Sequence, residues 1–128
     1  MPDSRKYEDW LKKAQNDFNG AKILFEHGAD NGLVAFHCHQ TVEKAFKGYM
    51  LNKSNTLFEG HGLVFLCKNA SKIDLNFKQF IKDCAFLNQF YLEMRYPMDV
   101  PMEVDISDVN ECLKIAEKLL KKLSADLK

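Results

Sequence analysis

Residues 33–52, LVAFHCHQTVEKAFKGYMLN, decide the fold. Ala35, Cys38, Val42, Ala45, Phe46 and Tyr49 recur at steps of three and four. That is the period of a helix laying one apolar stripe on a core. The stretch predicts a helix from about Leu33 to Asn52, and Asp30-Asn31-Gly32 supplies a turn and an N-cap before it.

Upstream, Tyr7, Trp10, Leu11, Ala14, Phe18, Ala21 and Phe25 predict a first helix from about Ser4 to His27, ended by Gly28. Downstream, a polar loop (52–60) leads to His61-Gly62, which opens a short helix from Leu63 to about Ala70. Asp74 or Asn76 then caps a fourth helix, predicted from Phe77 to about Met94 or Arg95. Pro97 stops propagation there and disfavours helical geometry at Tyr96. The last helix is expected to begin at Ser107-Asp108, with Asp108 and Glu111 at capping-box spacing. Val109, Leu113, Ala116, Leu120, Leu123 and Leu127 form its stripe. No segment alternates with a period of two. The expected fold is all-α: an antiparallel up-and-down bundle of four long helices plus one short helix, in one domain over residues 1–128.

Composition narrows the function classes. Lys and Arg number 18 and Asp and Glu 18, which argues against a protein that coats nucleic acid by bulk charge and leaves a local basic patch open. The polar start, Met1 to Lys6, and the lack of a bilayer-length apolar run lead to the expectation of a cytoplasmic chain with no membrane contact. Cys38, Cys67, Cys84 and Cys112 form no CxxC pair and fall on apolar helix faces, so buried free thiols are expected. No metal and no cofactor are expected. No Walker loop, GxGxxG, GxSxG or HExxH occurs.

The fourth helix carries the strongest anomaly. Asn88 and Arg95 fall within the stripe of Phe80, Ile81, Cys84, Leu87 and Tyr91. Arg95 either closes the helix end by binding its last carbonyls and a neighbouring acid, or presents a five-donor guanidinium to a phosphate. Asp17, at the edge of the first helix's stripe, is the kind of acid that would pair with it. On the second helix, His37 and His39 differ by about 200° and cannot share a metal. His39 and Glu43 share a face with Phe36, Gln40, Lys47 and Met50. Glu43 is expected to fix the His39 tautomer and raise its pKa, as in an acid–base pair, or this face is a polar seam where two helices or two subunits meet. His61 is expected to cap the third helix. Lys114, Lys118, Lys121 and Lys122 form a solvated face of the last helix and the best candidate for nucleic-acid contact.

Three segments together resemble the HEPN domain family (higher eukaryotes and prokaryotes nucleotide-binding). They are Trp10 with Ala14, Asp17 and Ala21; His39-Gln40-Thr41-Val42-Glu43-Lys44-Ala45-Phe46-Lys47, similar to the family's QxxEKxxK-type helix; and His61-Gly62-Leu63 followed by Tyr91 and Arg95-Tyr96-Pro97, similar to its HxL and Y-x3-RYP signatures. The resemblance implies a helical bundle, usually a homodimer, that pairs with a separate minimal nucleotidyltransferase, often in toxin–antitoxin operons. Many relatives are metal-independent ribonucleases using an arginine followed four to six residues later by histidine. Here Arg95 leads into Tyr96-Pro97-Met98-Asp99-Val100-Pro101-Met102, which lacks histidine. The expectation is therefore a module that binds a nucleotide or RNA and a partner through Asp17, Gln40, Glu43, Lys47, Asn88, Tyr91, Arg95 and Tyr96. A ribonuclease toxin with Arg95 and His39 as catalytic candidates is the alternative, and a non-catalytic dimeric scaffold the second alternative.

Overall fold

The computed structural model describes residues 3–91 and 103–127. Five α-helices and one 3-10 helix account for most of them: α1 (Tyr7–Glu26), α2 (Asn31–Ser54), α3 (Leu63–Ser71), the 3-10 helix (Leu75–Phe80), α4 (Ile81–Asn88) and α5 (Ile106–Ala125). No strand occurs among the described residues, and no helix there is long and apolar enough to cross a membrane.

Local chemistry sets the ends. The Asp30 carboxylate accepts from the Leu33 amide at 3.1 Å and starts α2. Asn55, at φ 53°, ends α2 in the left-handed region that Asn tolerates better than most residues. The capping box of α5 lies one turn earlier than the expected Asp108–Glu111 pair. Asp105 accepts from the Asp108 amide at 2.8 Å, and the Asp108 carboxylate accepts from the Asp105 amide at 3.3 Å. With two aspartates three apart, the upstream one captures the first unpaired N–H groups and the helix gains a turn.

Cross-helix contacts give the topology. Asp17 meets Lys44 and Arg5 reaches Asn55, so α1 and α2 are antiparallel. His39 meets Asn88 and Tyr49 meets Phe77, so the 3-10 helix and α4 run back along α2. Lys118 meets Asp83 and Lys122 meets Asp74, which makes α5 antiparallel to them. Asn31 donates to the Val104 carbonyl at the other end of α5, so α2 and α5 run parallel. This is the expected up-and-down bundle. α2 is its central element: besides the predicted stripe, His39, Thr41, Glu43, Lys47 and Met50 are buried. Gly48 permits the close approach of α1, since a Cβ there would lie 2.9 Å from Leu11 Cδ2 and 3.2 Å from the Tyr7 carbonyl oxygen.

The fourth helix departs from expectation. It begins as a 3-10 turn capped by Asp74, whose carboxylate accepts from the Asn76 amide, and its α-helical part ends at Asn88, before Met94 and Arg95. A turn follows, in which the Phe90 amide donates to the Leu87 carbonyl at 3.2 Å and the Phe90 ring is buried against Phe86. The four cysteines are free and buried as expected. Burial pushes the Cys38 thiol far up and that of Cys112 up to about 12, which leaves both unreactive.

Candidate functional site

α2 is polar where α3 and α4 reach it, and the arrangement there centres on Glu43. Its side chain is only 4% exposed. Lys47, one turn on, donates to Oε2 at 2.9 Å. His61, at the entrance to α3, places Nδ1 2.9 Å from Oε1 and 3.0 Å from Oε2. A carboxylate only accepts, so His61 Nδ1 carries the proton and Nε2 is left as the lone-pair nitrogen when the ring is neutral. The His61 side chain is 51% exposed, so a buried acid orients an imidazole that solvent can reach.

His39 behaves differently. Its side chain is fully buried and lies 3.9 Å from Glu43. Nε2 meets Asn88 Oδ1 at 3.4 Å, and Nδ1 faces the Gln40 amide at 3.5 Å. The expected rise in pKa is overturned. Desolvation outweighs the attraction of Glu43, and His39 is pushed down to about 4, so it is neutral near pH 7. Asn88 and Gln40, rather than Glu43, hold its tautomer. Asn88 also supplies the cap expected of His61: its Oδ1 accepts from the Leu63 amide at 3.0 Å, across 25 residues. The cap residue of α3 itself, Gly62, has no side chain for the task. Asn88 is thereby committed to fixing α3, α4 and His39 together.

Tyr91 joins this group through ring contacts. It stacks on His61 at 4.6 Å and 19° between planes, lies 5.0 Å from His39, and stacks on Phe36 at 6.1 Å. Phe36, Tyr91 and His61 thus form a ladder of rings ending in the exposed imidazole. Asp17 and Gln40 sit on the other flank of α2. Lys44 bridges them, 2.8 Å from Gln40 Oε1 and 3.1 Å from Asp17 Oδ2, and His37 Nδ1 lies 3.9 Å from Asp17. Asp17 therefore has a lysine partner, and His37 and His39 point to different sides of α2 as their spacing requires. Arg95 and Tyr96, with Pro97, lie outside the described residues.

The structure brings Glu43, Lys47, Asn88, Tyr91 and His39 together, sets Gln40 at their edge, and leaves Asp17 across the helix. The spacing of residues on single helices missed His61 as the partner of Glu43, because the two are 18 positions apart on different elements. Phe36 was visible only as a neighbour on the same face. Among the described residues, no group of three or more His, Cys, Asp or Glu side chains is placed to hold a metal ion.

The same fold occurs in the crystal structure of TT1696 from Thermus thermophilus, with a TM-score of 0.85, 23% identity, and 97% of this chain and 100% of that one covered. It also occurs in ST0689, an archaeal HEPN homologue, with a TM-score of 0.74, 25% identity, and 96% and 98% covered. No curated protein matches the chain. The HEPN domain profile matches residues 7–126, taking in α1 to α5 and the whole Glu43 cluster, and the chain therefore belongs to the HEPN domain family.

Proposed function

We propose that this chain is a nucleotide-binding and partner-binding module, working in the cytoplasm as a homodimer with a separate minimal nucleotidyltransferase, in a toxin–antitoxin-like pair. The observation that carries the binding reading is the ladder of Phe36, Tyr91 and His61, whose outermost ring is half exposed and fixed by Glu43. A nucleobase placed on the imidazole extends the stack, a contact worth roughly 1–3 kcal/mol per base. Lys47 holds the balancing charge inside, so the site keeps its geometry without a ligand. Arg95, four residues after Tyr91 in the sequence, is the proposed phosphate contact. A partner surface is supported at the end of the bundle where α1 stops and α2 and α5 start, since Ile23, Leu33 and Ile106 are exposed there. Calorimetry with ATP, GTP and short RNA tests the binding reading. Binding that is lost in His61→Ala and Arg95→Ala supports it; no heat with any of them, in a folded protein, contradicts it.

One observation favours a second reading, a metal-independent ribonuclease toxin. His61 Nδ1–H is clamped by Glu43, which leaves Nε2 as the basic nitrogen of a half-exposed ring, the arrangement of a general base able to take the 2′-hydroxyl proton of RNA. His61 would then fill the place of the histidine that does not follow Arg95, and His39, buried and neutral, would not. Expression in a bacterial host separates the readings. Growth arrest that vanishes in His61→Ala supports cleavage, and harmless expression of a nucleotide-binding chain supports binding alone.

A further inference from the structure

Cys67 on α3 and Cys84 on α4 are fully buried and take no part in the Glu43 cluster. Their placement follows from a neighbouring contact. The Asn88 side chain accepts from the Leu63 amide at 3.0 Å, which joins the end of α4 to the start of α3. Cys67 lies one turn after Leu63, and Cys84 one turn before Asn88. The Cys67 and Cys84 thiols are hydrogen-bonded to each other. Since those steps run in opposite directions along the chain, α3 and α4 are antiparallel there, and the two thiols form the rung next to Leu63 and Asn88.

The two sulfurs are not equivalent. The Cys67 S–H donates to the Phe77 carbonyl at 3.2 Å, so its sulfur is left to accept and Cys84 is the donor between them. That hydrogen bond outweighs burial and lowers the Cys67 pKa, whereas giving it, together with burial, pushes Cys84 up. Burial raises Cys38 and Cys112 as well, so thiolate, the reactive form, is favoured at Cys67 alone of the four. We propose that Cys67 and Cys84 are a redox pair, which a hydroperoxide converts to a disulfide that ties α3 to α4 and displaces His61. With hydrogen peroxide, the Cys67 thiolate attacks one oxygen and the O–O bond breaks. S–OH forms at Cys67, and the other oxygen leaves as water with the proton that Cys67 gave up. Cys84 then attacks the Cys67 sulfur, the S–O bond breaks, and the hydroxyl leaves as a second water with the Cys84 proton. Two thiols are oxidised and one peroxide is reduced. The oxidant reaches the buried sulfurs by local opening of α3, a helix of only nine residues. An S–S bond is shorter than a thiol hydrogen bond, so closing it draws α3 onto α4. His61, two residues before Leu63, then shifts against Glu43 on α2 and against the Tyr91 ring.

The full chain is exposed to hydrogen peroxide under native conditions, then unfolded for thiol counting and digested for mass spectrometry. Loss of two of the four thiols and a linked peptide joining Cys67 to Cys84 are expected, both reversed by dithiothreitol. In Cys84→Ser the reaction is expected to stop at the Cys67 sulfenic acid, which dimedone traps, while Cys38→Ser and Cys112→Ser keep the linked peptide. The wild-type map decides by itself where a variant fails to fold. Histidine-ring NMR before and after oxidation is expected to show the His61 signals shift and return on reduction. Four thiols that survive peroxide, or a linkage between another pair, overturn the redox pair. A Cys67–Cys84 bridge that leaves the His61 signals in place overturns the switch. No nucleotide enters the measurement, so either failure leaves the binding reading at His61 standing.

Discussion

α2 and α5 carry the same kinds of charged residue at helical spacing, yet those charges do different work. On α5, Lys118, Lys121 and Lys122 reach Asp83, Glu117 and the pair Asp74 and Asp126 at or near the surface. On α2, Lys47 and Glu43 are buried between helices and hold His61 in place. Water screens the first set and solvates any partner left behind. In the second set, a lost partner leaves a charge in a poorly polarisable interior. The comparison also bears on function. The lysines that resembled a nucleic-acid face are largely neutralised by neighbouring acids, whereas the inward seam ends in an oriented ring open to solvent.

The sharpest way to break the comparison is Glu43→Gln. It keeps the shape but strands Lys47, and a loss of about 3–5 kcal/mol in urea unfolding is expected. A loss below about 1 kcal/mol, as for an exposed pair, would make α2 and α5 equivalent and remove the basis of the distinction.

Next in size is the pH dependence of His39. Its folded pKa is near 4, below the ordinary value of 6.5. The unfolded chain takes up a proton as pH falls through 6.5 and the folded chain does not until near 4. Stability is therefore fully present above 6.5 and falls between 6.5 and 4, by about 3 kcal/mol for this group. Subtracting the profile of His39→Gln from that of the wild type isolates it, and a flat difference would contradict the burial of a neutral ring.

On α5 the effects shrink. Asp105→Ala removes the capping box and is expected to cost about 1 kcal/mol by thermal unfolding; no change would place the helix start elsewhere. Smallest is Lys118→Ala. Its ammonium sits 2.8 Å from Asp83 but the side chain is half exposed, so about 0–1 kcal/mol is expected. A larger loss would show that the α5 pairs work as a network.

The bundle was legible because its signal is local. The stripes of α1, α2 and α5 are written in three- and four-residue steps, and Asp30 caps where its type and position suggest. The fourth helix was legible only in part: Cys84 and Leu87 keep the expected stripe, but their spacing marks neither the 3-10 turn at its start nor an end at Asn88. The His39–Glu43 pair was visible from spacing, but its chemistry was reversed. Spacing places a carboxylate near an imidazole, while burial, which α2 acquires only when α3 and α4 pack on it, sets the charge. The Glu43–His61 contact joins two elements across a loop and left no mark in either element's periodicity.

The direct measurement is long-range nitrogen–proton NMR of the histidine rings in ¹⁵N-histidine-labelled protein, titrated with ATP and with short RNA. His61 is expected to show the Nδ1–H tautomer and to shift saturably with ligand, while His39 keeps the pattern of a neutral, buried ring. Saturating nucleotide that leaves the His61 signals unmoved, with binding verified by calorimetry, would contradict the placement of the binding site at the Glu43-held imidazole.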